Sequence, residues 1–359
     1  MKDGTAACTP RSRPDGGHDV TTHLPGQPAN NGEAPLLAVR DLAIDIGDGP
    51  ARASLVRGVS FEIGRGESLG LVGESGSGKS LTCLSLGGLL PHPVRVTGGS
   101  IQFGGMDLAA APARQLRQVR GRRIGFVFQD PSGALDPLFP VGRQLAEVLR
   151  RHRPISRAQA YRQALDLMDE LEIPRARDRF MAHPHELSGG MKQRICIAMA
   201  LAGGPDLLVA DEPTTALDVT TERAILTLLA RLQADRGLAL LLVTHSLPVA
   251  ASVAGRLCVM YAGEVVELGD AVTCLDEPGH PYTEALAASA RSLEAARPGY
   301  LTGIPGTVPS RIQDVTRCLF ADRCPYATDE CRRRHPPLAP SRGGVAACVH
   351  IDRTRRAVW

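Results

Sequence analysis

The chain has 359 residues, enough for two domains, and its formal net charge of +3 is close to balanced. That balance excludes the strongly basic field of a dedicated nucleic-acid binder, and one Trp and five Tyr offer no platform for stacking bases. No apolar run approaches the ~20 residues that span a bilayer.

In chain order, residues 1–34 are rich in Gly, Pro, Asn, Asp and Thr and are expected to form a disordered tail. They contain no apolar core like that of a signal peptide, so the chain is expected in the cytoplasm, where its nine cysteines stay reduced. From Leu36 the stretches LLAVRDLAIDI and SLVRGVSFEI alternate apolar and polar residues, as half-buried strands do. SLGLV and DLLVADE are denser runs, suited to parallel strands covered on both faces. Helical stretches such as 156–173 lie between them, which predicts an α/β core. LALLLV at 238–243 has the length of another buried strand. After about residue 270 the strand pattern fades into Pro-rich turns, a helix within 282–296 and a group of cysteines. A separate C-terminal module is expected there.

The residues Gly73, Glu74, Ser75, Gly76, Ser77, Gly78, Lys79 and Ser80 fit the pattern G-x-x-x-x-G-K-[ST], with Leu81 entering the helix behind them. Glycines let such a loop turn its N–H groups onto phosphate oxygens at a helix N-terminus. Lys79 supplies charge to the β- and γ-phosphates, and Ser80 supplies a hydroxyl to Mg²⁺. LLVADEP at 207–213 ends a buried run in two carboxylates. Asp211 suits a hold on Mg²⁺, and Glu212 suits polarising an attacking water. In LSGGMKQR, Ser188 is a good N-cap, and Gly189 and Gly190 allow close backbone approach to a second anion site at a helix start. Gln129 and His245 each follow an apolar strand and can reach a metal, a water or a γ-phosphate.

In this order, with ALD at 216–218, the motifs resemble the ATP-binding subunits of ABC transporters over residues 36–270. The resemblance implies a P-loop NTPase core, spanning 35–270, with a mixed sheet and a helical subdomain at about 130–200 that touches the membrane partner. It implies ATP and Mg²⁺ at the loop and a second homologous ATP-binding subunit, commonly a different chain. In such a pair Ser188, Gly189, Gly190, Lys192 and Gln193 of one subunit face the ATP of the other. Glu212, His245 and Lys79 are then the catalytic groups. VMYAGEVVELG, PGHPYTEAL and IPGTVPS are similar to the peptide/nickel branch. That branch implies import of di- or oligopeptides, with a nickel or opine-type solute as the alternative and a soluble non-transport ATPase as a more remote one. It further implies two transmembrane permease subunits, an extracytoplasmic solute-binding protein, and a peripheral position on the cytoplasmic face of the membrane. The chain departs from the family in three places: no aromatic residue in GDGPARASLVRG to stack on adenine, Ser246 where Asp is common, and Lys192 where Arg is common.

The cysteines Cys318, Cys324, Cys331 and Cys348 are spaced C-x5-C-x6-C-x16-C in the extension over 271–359. Lasting disulfides are not expected in the cytoplasm, and the tight C-x2–4-C pairs of zinc sites are missing. Four thiolates on irregular loops, in a branch known for such spaced cysteines, are consistent with a structural [4Fe–4S] cluster. Zinc or plain thiols are the alternatives.

Overall fold

A computed structural model describes residues 34–49, 52–294, 304–309 and 315–351; the tail expected at the N-terminus lies outside these up to residue 33. The strands are β1 (Leu37–Ile46), β2 (Ala53–Ile63), β3 (Ser68–Val72), β4 (Val94–Phe103), β5 (Met106–Asp107) and β6 (Ile124–Val127). They continue with β7 (Leu207–Asp211), β8 (Ala239–Thr244), β9 (Arg256–Tyr261), β10 (Glu264–Asp270), β11 (Ala339–Ser341) and β12 (Gly344–Ala346). One antiparallel sheet has the order β2-β1-β4-β5, and a mixed sheet has the order β11-β12-β10-β9-β3-β8-β7-β6. Within the mixed sheet β9, β3, β8, β7 and β6 run parallel.

Two-residue periodicity sorts the dense runs onto two faces. Leu241 and Val243 of β8, with Leu207 and Val209 of β7, pack toward the antiparallel sheet against Val39, Phe61, Ile101 and Phe103. Leu240, Leu242, Leu208 and Ala210 pack the other way, onto Ile195 and Ile197 of the helix Gly189–Leu201 and Ile225 and Leu229 of the helix Val219–Arg236. Each Leu, Ile or Val side chain among them, wholly removed from water, contributes about 1.5–3 kcal/mol. The segment between β6 and β7 is helical. Its helix Arg157–Glu170 starts at Ser156 in a capping box closed by Gln159.

The sheet does not end near residue 270. β12 pairs antiparallel with β10, and β11 pairs with β12, so the extension lengthens the mixed sheet at its edge. Three-residue strands, one of them containing Pro340, have too little length to display a period. The helix Pro281–Glu294 of the extension and Phe320 close a third core with Leu247, Leu257, Val259 and Tyr261.

Candidate active site

The four parallel strands β3, β8, β7 and β6 are neighbours, so their C-terminal ends lie side by side. This edge is where open α/β sheets hold ligands. β3 delivers the glycine-rich loop, β8 delivers His245, β7 delivers Asp211 and Glu212, and β6 delivers Gln129 two residues past its end. Residues spread over more than 170 positions thus meet at one edge.

The loop geometry depends on glycine. Gly73 has φ 156°, and a Cβ there would lie 2.2 Å from the Met260 carbonyl oxygen. Gly78 has φ 97° and ends the loop at the start of the helix Lys79–Leu86. Lys79 is buried, and its Nζ donates to the carbonyls of Gly73 at 2.6 Å and Glu74 at 2.9 Å and lies 3.4 Å from Ser77 Oγ. Burial lowers its pKa, and the carboxylates of Glu212 and Asp211 counter that shift. Ser77 is fully buried and its carbonyl accepts from Gly263 N–H, which ties the loop to the β9–β10 turn.

Ser80 Oγ donates to Asp211 Oδ1 at 3.2 Å, so the two hard oxygen donors assigned to Mg²⁺ face each other. Burial, and then neighbouring Glu212, push the Asp211 carboxyl upward, while Ser80 and Lys79 pull it down. Glu212 Oε2 is the meeting point of three groups. It accepts from Thr215 Oγ1 at 2.8 Å and from Gln129 Nε2 at 3.3 Å, and lies 3.5 Å from His245 Nδ1. Glu212 itself has φ 46°, a left-handed backbone uncommon outside glycine and concentrated at functional sites. Its side chain is 13% exposed and that of His245 61% exposed, so the acid is set back and the imidazole faces out.

A cleft of about 470 Å³ lies over this edge, lined by Ser75, Gly76, Lys79, Ser80, Leu81, Gln129 and Glu212. None of residues 188–193 lines it. The structure puts Ser188 elsewhere, as the exposed N-cap of the helix Gly189–Leu201, with its Oγ accepting from Met191 N–H at 3.3 Å. A Cβ on Gly190 would come within 2.5 Å of Thr221, so this helix start packs closely on the next one. Lys192 Nζ donates to Ser132 Oγ at 3.3 Å. Gln193 is buried, and its Nε2 has no hydrogen-bond partner among the described residues.

Four participants were not assigned to the site from the sequence. Leu55 and Pro309 line the same cleft from opposite ends of the chain, where an aromatic residue was missed. Tyr282 Oη accepts from Glu74 N–H at 2.7 Å, and Arg323 meets the Glu74 carboxylate at 2.8 and 3.0 Å. The stretches TVPS, HPY and DRC carry no local signal for these contacts.

The four cysteines of the extension line one small apolar cavity with Phe320 and Ala321, and none forms a disulfide. Cys318 N–H donates to the Cys331 carbonyl at 3.0 Å, which brings the first and third together. Burial and then neighbouring cysteines push the Cys324 thiol up to about 12 and the Cys348 thiol up to about 11. Among the described residues no group of three or more His, Cys, Asp or Glu is arranged to hold a single metal ion. As four convergent soft donors the thiols match in type the set that holds an iron–sulfur cluster.

Comparison with known proteins bears on the same regions. A family profile described as ABC transporter matches residues 56–215, and one described as oligopeptide/dipeptide transporter, C-terminal region, matches residues 266–331. A probable peptide ABC transporter ATP-binding protein, y4tR of Sinorhizobium fredii, is 44% identical over 87% of this chain and 93% of its own length. The chain belongs to the ATP-binding proteins of peptide ABC transporters. The family includes the dipeptide transport ATP-binding protein DppD of Escherichia coli, 42% identical over 84% of this chain and 92% of that one. The oligopeptide transport ATP-binding protein OppD of Salmonella typhimurium is 41% identical over 92% and 96%. Among solved structures, the ATP-binding cassette MJ0796, in a dimeric post-hydrolysis state with ADP and Pi, superposes with a TM-score of 0.59 at 28% identity. It covers 66% of this chain and 98% of its own. The P-loop fold expected from the motifs is thereby established, and the chain is an ATPase of that family.

Proposed function

We propose that this ABC ATPase powers import of di- and oligopeptides through a membrane permease. The observation that carries the proposal is the convergence of Gln129, Thr215 and His245 on one oxygen of Glu212, beside a Lys79-bearing phosphate loop. The relatives are named for peptides, which does not favour a nickel or opine solute.

Lys79, Ser75–Gly78 N–H groups and His245 balance charge on the phosphates of ATP as it builds up in the transition state. Ser80 and Asp211 would hold Mg²⁺, which would supply cationic charge to the phosphates when bound. Glu212 orients a water and accepts its proton as the water oxygen bonds to the γ-phosphorus and the bond to the β–γ bridging oxygen breaks. Ser188, Gly189, Gly190 and Lys192 lie outside the chain's own cleft, which supports their use on the ATP of a second homologous subunit. The backbone of Gln193 belongs to that helix start, while its buried side chain supports the helix from behind. A groove of the helical segment, with exposed Leu138 and Phe139 at 77% and 49% beside it, suits docking to a permease at the cytoplasmic face. No helix among the described residues is long and apolar enough to cross a membrane. An extracytoplasmic solute-binding protein would deliver the peptide to that permease.

In the extension, Cys318, Cys324, Cys331 and Cys348 would hold a [4Fe–4S] cluster with a structural role, in a region with few large apolar side chains. Iron and acid-labile sulfide analysis of anaerobically purified protein tests this, and a colourless protein containing neither ends it. For the catalytic proposal the assembled transporter with Glu212→Gln is expected to bind ATP normally and hydrolyse it about 10²–10³-fold more slowly. Hydrolysis within a few-fold of the unmodified complex removes Glu212 from the role of base.

A further inference from the structure

The phosphate loop is tied to the cysteine-bearing region at one residue. Glu74 donates its N–H to Tyr282 Oη at 2.7 Å, and its carbonyl accepts from Lys79 Nζ at 2.9 Å. Its carboxylate takes a two-pronged pair from Arg323, Nη1 to Oε2 at 2.8 Å and Nη2 to Oε1 at 3.0 Å. Arg323 spends its remaining donors nearby. Nε donates to the Pro305 carbonyl at 2.7 Å, Nη2 to the Ile304 carbonyl at 3.2 Å, and Nη1 to Tyr261 Oη at 3.4 Å. Its guanidinium carbon lies 5.7 Å from the Tyr261 ring centroid and 5.9 Å from that of Phe320. Only 6% of the side chain is exposed. A guanidinium with every donor used, in a planar fork on one carboxylate, holds that carboxylate in a fixed place.

The position of that carboxylate matters because Glu74 sits inside the loop that receives phosphate. An unpaired negative charge there opposes an anionic ligand, and at partly buried sites such opposition is weakly screened. The same arginine holds the segment 304–309, whose Pro309 lines the cleft. We infer that Arg323 is a positioning residue for ATP: it neutralises Glu74 and fixes the phosphate loop from a site 249 residues away, next to Cys324. Arg323 touches no reacting atom. It acts on affinity for the nucleotide more than on the chemical step. The inference rests on the ATPase assignment and extends it to the C-terminal region.

The test uses the full chain in its assembled transporter and follows hydrolysis against MgATP concentration. Arg323→Met is expected to raise KM roughly tenfold with kcat within about threefold, since tenfold in affinity is the size of one lost charge-assisted pair. Adding Glu74→Gln to Arg323→Met removes the stranded charge and is expected to return KM to within about threefold of the original. Should Arg323→Met fail to fold, Arg323→Lys serves. One ammonium cannot meet the acceptors of a planar fork, and KM is expected to rise about threefold. An unchanged KM in Arg323→Met, or in Arg323→Lys where that is the variant that folds, overturns the inference. So does a joint fall of kcat and stability that Glu74→Gln does not relieve, which marks Arg323 as structural only. An unmodified complex with no ATPase activity defeats the enzymatic assignment instead, and is distinguishable from both.

Discussion

At the nucleotide cleft the working groups stand at the ends of strands that are almost wholly buried: every residue of β8 is inside, and His245 follows directly. At the cysteine cavity they stand on turns and on the five-residue helix Asp329–Arg333, with edge strands of three residues beside them. The first region is positioned by apolar packing on both faces of a sheet. The second has few large buried side chains of its own, Phe320 chief among them, and is held to the rest by polar ties. These are Arg323 to Glu74, Tyr326 Oη to Glu284 at 3.1 Å and His335 to Glu264 at 2.6 Å. The difference implies that substitutions in the cleft change chemistry while leaving the fold intact. In the extension they change local order first and reach the cleft through the ties of Arg323 and Tyr282 to Glu74 and through Pro309.

The sharpest contrast sets Glu212→Gln against Cys331→Ser. The first is expected to remove hydrolysis almost completely with little change in melting temperature, because Gln keeps the shape and can still meet Thr215. The second places a more polar hydroxyl in a buried site and is expected to cost about 1–3 kcal/mol of local stability. Hydrogen exchange over residues 315–351 should quicken while exchange in β7 and β8 does not. Equal quickening in both regions would break the comparison. A rise in KM for ATP accompanying Cys331→Ser would sharpen it, since Arg323 lies between Cys318 and Cys331.

The same division explains what could be read from the chain in advance. The phosphate loop is a contiguous motif, and β7 and β8 advertise themselves because both faces are covered and the runs are unbroken. Ser188 caps its helix as its position suggests. Long-range pairings had no such mark. Nothing local couples Glu74 to Arg323, or distinguishes Pro309 from the other prolines of its loop. The strands β11 and β12 were invisible because three residues hold no period and one of them is a proline. Gln193 fell within a motif whose other polar side chains are exposed or half-buried, yet on a helix starting at Gly189 its side chain turns inward and is 1% exposed. Only helical phase, taken against the covered face, separates it from Lys192.

A smaller effect is expected at the base end of the cleft. Leu55 and Pro309 offer apolar contact but no aromatic face. Aromatic stacking on a base is worth about 1–3 kcal/mol, so Leu55→Tyr is expected to lower KM for ATP about fivefold. GTP should gain similarly, because stacking is indifferent to the base edge. If KM rises instead, Leu55 does not face the base. Selectivity in that case lies with groups outside the apolar wall.

The smallest effect tests the polar ties themselves. His335 Nε2 lies 2.6 Å from Glu264 Oε2, while Arg57 Nε donates to Glu264 Oε1 at 2.9 Å. The hydrogen bond to Glu264 raises the His335 pKa above its ordinary 6.5, against opposing burial and the nearby Arg57 charge. A histidine raised in the folded state gives its full stabilisation below the unfolded value. It loses that stabilisation as pH climbs through the folded value. The window therefore opens at about pH 6.5 and extends upward. Because the side chain is 36% exposed, solvent screening keeps the contribution under about 1 kcal/mol. Melting at pH 6 and pH 8 should show a larger drop for the unmodified chain than for His335→Gln, which has no proton to lose. Equal drops would mean that the histidine's bond to Glu264 adds nothing to docking of the extension, which is then held by Arg323, the β10–β12 pairing and its other contacts.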